Sequence, residues 1–249
     1  MRVDFVIGGT QKGGTSALDS FLRQHPEICM PETRKELHFF DREADDTDYK
    51  KYHANFKPKQ QRVIGEASPI YMYWETAPYR IWKYNPKMKW ILALRNPVER
   101  AFSAYKHEYA RGFEWETFEQ ALKLEDDRLI GEIDRMRADP SYESFPHRHH
   151  SYRHRGHYAE QLERVFAHFP RSQVHIIESE AFFADPAAEY QHLMEFLGLR
   201  LFKPTHFGCH NARPGDPMGP ETRRELEQYY QPHDERLASL LGRSPWWLR

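Results

Sequence analysis

Short apolar runs alternate with amphipathic stretches along most of the chain. The first run, residues 3–9, is short and closes on Gly8-Gly9, as a buried strand does. Residues 16–24 follow with Leu18, Phe21 and Leu22 at helical spacing, and Thr15 or Ser16 can serve as the N-cap. Further strands are expected over 62–67, 89–94 and 173–177. Helices are expected over 78–84, 99–110, 117–124, 158–169 and 187–197, the last stopped by Gly198. Residues 220–230 and 234–241 read as two terminal helices, and 137–157 as a polar, His-rich, irregular stretch. The alternation predicts an α/β fold, a parallel sheet flanked by helices on both faces, in one domain over 1–249. Ligands in such sheets sit beyond the carboxyl ends of the strands. The loops that begin at Gly8, Ala67, Arg95 and Glu178 should therefore surround the site.

The first of those loops carries chemistry. GGTQKGGTS, residues 8–16, follows a strand and opens a helix, the setting in which backbone amides and a helix N-terminus hold phosphate. It is not the nucleotide-triphosphatase pattern GxxxxGK[ST]. Gly9 and Gly14 have the right spacing, but Thr15 stands where that lysine belongs and Lys12 sits inside the loop. The 89–94 strand ends in LRNPVERAFSAY, which puts Arg95 at a strand terminus and Ser103 about two turns into the next helix. A guanidinium and a hydroxyl so placed can clamp a second phosphate. Taken singly, these features also suit a generic Gly-rich turn, a surface Arg and a helix Ser. Together they suggest a ligand with two separated phosphate groups.

The order of the Lys12 loop, KELHFFD (35–41), the Arg95–Ser103 unit and VHIIESEAFFADP (174–186) resembles that of the sulfotransferases. It is most similar to the heparan sulfate N- and 3-O-sulfotransferase type and its bacterial relatives, over nearly the whole chain. The resemblance implies a kinase-like P-loop fold and 3′-phosphoadenosine 5′-phosphosulfate as donor, with adenosine 3′,5′-bisphosphate as product and no metal. It implies that Gln11, Lys12, Gly13, Gly14, Thr15 and Ser16 hold the 5′-phosphosulfate, with Lys12 at the bridging oxygen. Arg95 and Ser103 would hold the 3′-phosphate, with Tyr158 and Arg213 as further donor contacts. Glu36 matches the acceptor-activating carboxylate, and His38 and Asp41 match supporting positions. One departure stands out: the heparan type has Glu-Lys-Thr-Pro where this chain has Glu66-Ala67-Ser68-Pro69, so a second lysine is missing there. Lys35, beside Glu36, is a possible substitute whose direction the sequence does not give.

An acceptor hydroxyl must lose a proton as it attacks, and a carboxylate or an imidazole can take it. If 36–38 is extended, Glu36 and His38 share a face. Either could be the base, with the other as its orienter; the resemblance favours Glu36. His150, His154 and His157 in HRHHSYRHRGHY (147–158) would share a helix face and invite a metal reading, but no acidic residue lies between Ser144 and Ala159. A solvated loop or a rim for anionic ligands fits that stretch better. Tyr71, Tyr73 and Trp74 read as core, with base stacking or an acceptor cleft as the alternative.

Composition narrows the class. With 36 Lys plus Arg against 37 Asp plus Glu, the chain is no globally basic nucleic-acid binder. Its 36 aromatic residues supply large buried area, and two cysteines exclude a disulfide framework. No 18-residue apolar stretch or leader-like segment is seen, so no membrane span and a cytoplasmic location are expected. The expected partner is a carbohydrate or small-molecule acceptor. A small P-loop kinase and an inactive nucleotide- or glycan-binding module are the alternatives.

Overall fold

A computed structural model describes residues 1–42, 49–139, 141–202, 204 and 217–249. In chain order the elements begin β1 (Phe5–Gly9), α1 (Thr15–Leu22), β2 (Ile28–Cys29), α2 (Tyr49–His53), β3 (Val63–Ala67), α3 (Ala77–Tyr84) and β4 (Lys89–Leu94). They continue α4 (Pro97–Ala110), α5 (Phe118–Leu129), α6 (Glu132–Ala138), α7 (Phe145–His149), α8 (Tyr158–Phe166) and β5 (Val174–Glu178). The chain closes with α9 (Ser179–Ala184), α10 (Pro186–Leu197) and α11 (Pro220–Leu241). Two units are distinguished: Met1–Arg95 with Gln161–His210, and Asn96–Glu160 with Asn211–Arg249.

The first unit holds a parallel five-stranded sheet in the order β2-β3-β1-β4-β5. Its central strands are buried on both faces, which is why they read as unbroken apolar runs. Alternation sorts their side chains. Phe5, Ile7, Ile91, Ala93 and Ile177 pack with Leu18, Phe21 and Leu22 of α1 and Leu193 and Leu197 of α10. Val6, Trp90 and Leu92 are buried on the opposite face, where Trp90 meets Phe169, just past α8, at 5.6 Å. Gly65 stands opposite Phe5 in the β1–β3 register, and a Cβ there would overlap the Phe5 ring. Gly65→Ala is therefore expected to cost about 1–3 kcal/mol by overpacking, read as a lower midpoint in urea unfolding.

The second unit is helical, with Val98 and Ala101 of α4, Phe118 and Leu122 of α5, Tyr152, and Leu226 and Tyr230 of α11 forming its core. The two terminal helices expected from the sequence are one, α11, with Pro232 inside it. Thr222, Leu226, Tyr230, Asp234 and Leu237 keep one buried stripe across the proline. Pro232 itself is exposed, so water can take the carbonyl its ring leaves without a donor.

The His-rich stretch is also more ordered than expected. It contains α7, and its histidines are bonded: His149 Nδ1 to Glu108 at 3.0 Å, His150 Nε2 to the Phe113 carbonyl at 2.8 Å. Arg155 is buried, donating to Ser151 Oγ at 2.9 Å and to the His147 carbonyl at 3.2 Å. A solvated loop is therefore not what these residues make.

Candidate active site

β1 runs into the Gly-rich loop and the loop runs into α1. Gly13 N–H donates to the Thr10 carbonyl at 3.0 Å, closing a turn, and Thr10 N–H donates to the Ala93 carbonyl of β4 at 3.1 Å. A Cβ at Gly13 would overlap that same Ala93 carbonyl, so the close approach of loop to strand requires glycine. Gly14 has φ 95° and is the N-cap of α1. The sequence suggested Thr15 or Ser16 as the N-cap, and neither caps the helix. Both lie in its first turn, where amides have no intrahelical acceptor and the helix dipole favours an anion.

Three other strand ends meet the loop or flank it. Arg95, at the end of β4, donates from Nη1 to the Lys12 carbonyl at 3.2 Å. Lys12 is held with φ 71°, a left-handed backbone that costs a non-Gly residue roughly 1–2 kcal/mol. Ser179 Oγ, after β5, donates to the Gly13 carbonyl at 2.7 Å. After β3, the Ser68 hydroxyl accepts from the amides of Leu37 at 3.2 Å and His38 at 3.4 Å. The expected loops thus do assemble in the first unit. Arg95 in this way ties the end of β4 to the loop.

Segment 35–41 forms neither helix nor strand, and it is not extended at His38, whose φ is 54°. Glu36 and His38 are brought together by that left-handed turn instead of by strand alternation. His38 Nδ1 donates to Asp41 Oδ2 at 2.9 Å, and its Nε2 lies 3.4 Å from Glu36 Oε2. Asp41 is buried, whereas the Glu36 side chain keeps 42% of its surface exposed. Burial works against a charged His38, but the hydrogen bonds to Asp41 and then Glu36 outweigh it and push its pKa up to about 9. Burial would raise Glu36; the His38 hydrogen bond and the nearby Lys35 charge outweigh it and hold the carboxyl below its ordinary value. At neutral pH the imidazolium has no lone pair to offer, and the free base of the pair is the Glu36 carboxylate.

Sequence reasoning missed what holds this segment. Glu66, fully buried on β3, accepts from Tyr52 at 2.6 Å, Ser68 at 2.8 Å and Tyr71 at 3.0 Å. Burial pushes its pKa up to about 7 despite those bonds. The Tyr71 hydroxyl in turn accepts from the amide of Phe39 at 3.1 Å. Glu66 thus anchors, through Ser68 and Tyr71, the backbone that carries Glu36 and His38. A buried acid flanked by Ser and Tyr was the available signal. Tyr71, Tyr73 and Trp74 are buried, as the core reading had it.

In the second unit, Ser103 is half-buried on α4. Tyr158 is buried with its ring edge-on to Trp247 at 6.1 Å. Arg213 lies outside the described residues. No helix contains His150, His154 and His157 together. His157 instead clusters with Glu160 and His233, their ligand atoms within 4.8 Å of one another. The two imidazoles are stacked at 3.8 Å and 7°, so their in-plane lone pairs run side by side instead of converging on one ion. Burial, reinforced by the neighbouring cations, pushes His157 down to about 3.

Residues 2–206 match the family described as "Sulfotransferase domain". The chain is 28% identical to mouse heparan sulfate glucosamine 3-O-sulfotransferase 3A1, over 97% of its own length and 63% of that protein's. It is 30% identical to the mouse bifunctional heparan sulfate N-deacetylase/N-sulfotransferase 4, over 98% of its own length and 31% of that protein's. The solved sulfotransferase of Alicyclobacillus acidocaldarius superposes with a TM-score of 0.80 at 32% identity, covering 98% of this chain and 97% of that one.

Proposed function

The chain belongs to the sulfotransferase domain family, and on that premise we propose that it moves a sulfuryl group from 3′-phosphoadenosine 5′-phosphosulfate to a hydroxyl or amine of a carbohydrate or small molecule. The observation that carries this reading is the pairing of an ionised, partly exposed carboxylate, Glu36, with an anion-binding loop in one unit. The loop fits a phosphosulfate by its chemistry. Residues 8–16 offer amides, hydroxyls, the Lys12 cation and a helix N-terminus, with no carboxylate among them.

In an in-line transfer, the bond from sulfur to the bridging phosphate oxygen breaks and its electron pair stays on that oxygen, while the acceptor atom bonds to sulfur. Glu36 takes the acceptor's proton. His38, charged and held by Asp41, orients Glu36 and keeps it ionised. Gln11, Lys12, Gly13, Gly14, Thr15 and Ser16 hold the 5′-phosphosulfate, and Lys12 offsets the charge that grows on the leaving oxygen. Arg95 takes the 3′-phosphate, with Ser103 as the second group the resemblance implies. The family match, residues 2–206, takes in residues 96–160 of the second unit as well as most of the first, which supports reading 1–249 as one sulfotransferase domain.

Calorimetric titration tests the donor assignment. Losing a charge-assisted clamp costs about 1.5–3 kcal/mol, so adenosine 3′,5′-bisphosphate should bind roughly 10- to 150-fold more tightly than 5′-AMP. Arg95→Ala should narrow that gap. Equal affinities of the unaltered protein for the two nucleotides would overturn the reading.

A further inference from the structure

Lys35 is the side chain on which the loop and the base converge. Its Nζ lies 3.2 Å from Thr15 Oγ1 and 3.1 Å from Ser16 Oγ, both in the first turn of α1. The same Nζ lies 3.4 Å from Glu36 Oε1. Lys35 therefore spans from the end of the phosphate loop to the carboxylate that faces the acceptor. A hydroxyl that accepts from an ammonium turns its own hydrogen elsewhere, so Thr15 and Ser16 are left with donors to present. The ammonium, the two hydroxyls and the amides of Thr15 and Ser16 make a set of donors beside the Glu36 carboxylate. A stretch with such a surplus of donors suits an anion that passes between the loop and the base.

We infer that Lys35 is a catalytic cation of this site, bonding the sulfuryl oxygens during transfer. The inference rests on the sulfotransferase reading and adds a residue to it. Transfer moves the sulfuryl group from the oxygen held by the loop to the acceptor atom beside Glu36. Sulfur changes partner once, the electron pair goes to the phosphate oxygen and the proton to Glu36. Lys35 forms no covalent bond; it lends positive charge along the line between the two ends. A fixed cation there counts most where water is excluded and charge is redistributing. The alternative role, holding Glu36 ionised, makes Lys35 a positioning residue only, and the two roles differ in what they predict.

The test compares Lys35→Met and Lys35→Arg with the unaltered protein by two measurements. The first is the affinity for the sulfated donor relative to adenosine 3′,5′-bisphosphate, which lacks the sulfuryl group. Lys35→Met should lose about ten- to hundredfold in affinity for the sulfated donor and stay within about twofold for the bisphosphate. Lys35→Arg should keep most of the difference. The second is release of bisphosphate from the donor, with water or an added phenol as acceptor, from pH 5 to 9. Lys35→Met should be slowed about a hundredfold at every pH. Unchanged donor discrimination in a folded Lys35→Met, or a rate loss that vanishes as pH rises, would overturn the inference and leave only the positioning role. Failure of the unaltered protein to bind either nucleotide would instead overturn the sulfotransferase reading.

Discussion

Glu36→Gln is expected to lower kcat by about 10²- to 10⁴-fold while leaving the affinity for adenosine 3′,5′-bisphosphate within about twofold. Glutamine keeps the size and a hydrogen bond to His38 but cannot take a proton. The loss should shrink for an activated phenol, whose hydroxyl needs less help to ionise. The pH profile follows from the same groups. Glu36 is held below its ordinary 4.5, so the acid limb of kcat/KM should lie below that value. His38→Asn removes the strongest group lowering it, and burial should then move the limb upward. His38 itself has a folded pKa raised to about 9, so its contribution to stability is complete below its unfolded pKa near 6.5. That contribution is lost as pH rises through about 9, which a series of thermal midpoints from pH 6 to 10 would show. Should His38→Ala be the variant rescued by the phenol, with Glu36→Gln near the unaltered rate, the imidazole carries the proton and the assignment of Glu36 fails.

Lys12→Ala is expected to cut kcat by about 10²- to 10³-fold with a smaller loss of donor affinity. The charge on the leaving oxygen is largest in the transition state, so a cation placed there acts more on rate than on binding. An activated phenol should not rescue this variant, because the deficit sits on the donor side. The contrast with Glu36→Gln separates the two ends of one reaction. Lys12 takes a left-handed backbone, so alanine must bear the same φ of 71°. Lys12→Asn, whose residue tolerates that conformation better, serves as the control for loop geometry. Equal loss in both variants assigns the effect to the charge; a near-normal Lys12→Asn would remove Lys12 from the mechanism.

Local pattern was enough for much of this molecule. The strand at β1, the Gly-rich loop and α1 were legible because an unbroken apolar run, a pair of glycines and a 3.6-residue stripe are all short-range signals. β4 was legible for the same reason, and with it the placing of Arg95 at a strand end. Glu36 and His38 could be named from their segment, though not how they meet: the left-handed turn at His38 depends on Asp41 and on amides held by Ser68 and Tyr71. Long-range packing decided the rest. α11 continues through Pro232 because a buried stripe outweighs a proline that faces solvent. The His-rich stretch is ordered because Glu108 and the Phe113 carbonyl, 41 and 37 residues away, supply its partners. The direction of Lys35 was settled only when α1 brought Thr15 and Ser16, 20 and 19 residues earlier, within reach of its ammonium. A side chain's chemistry is written at its own position, but the partner that gives it a task is chosen by the fold.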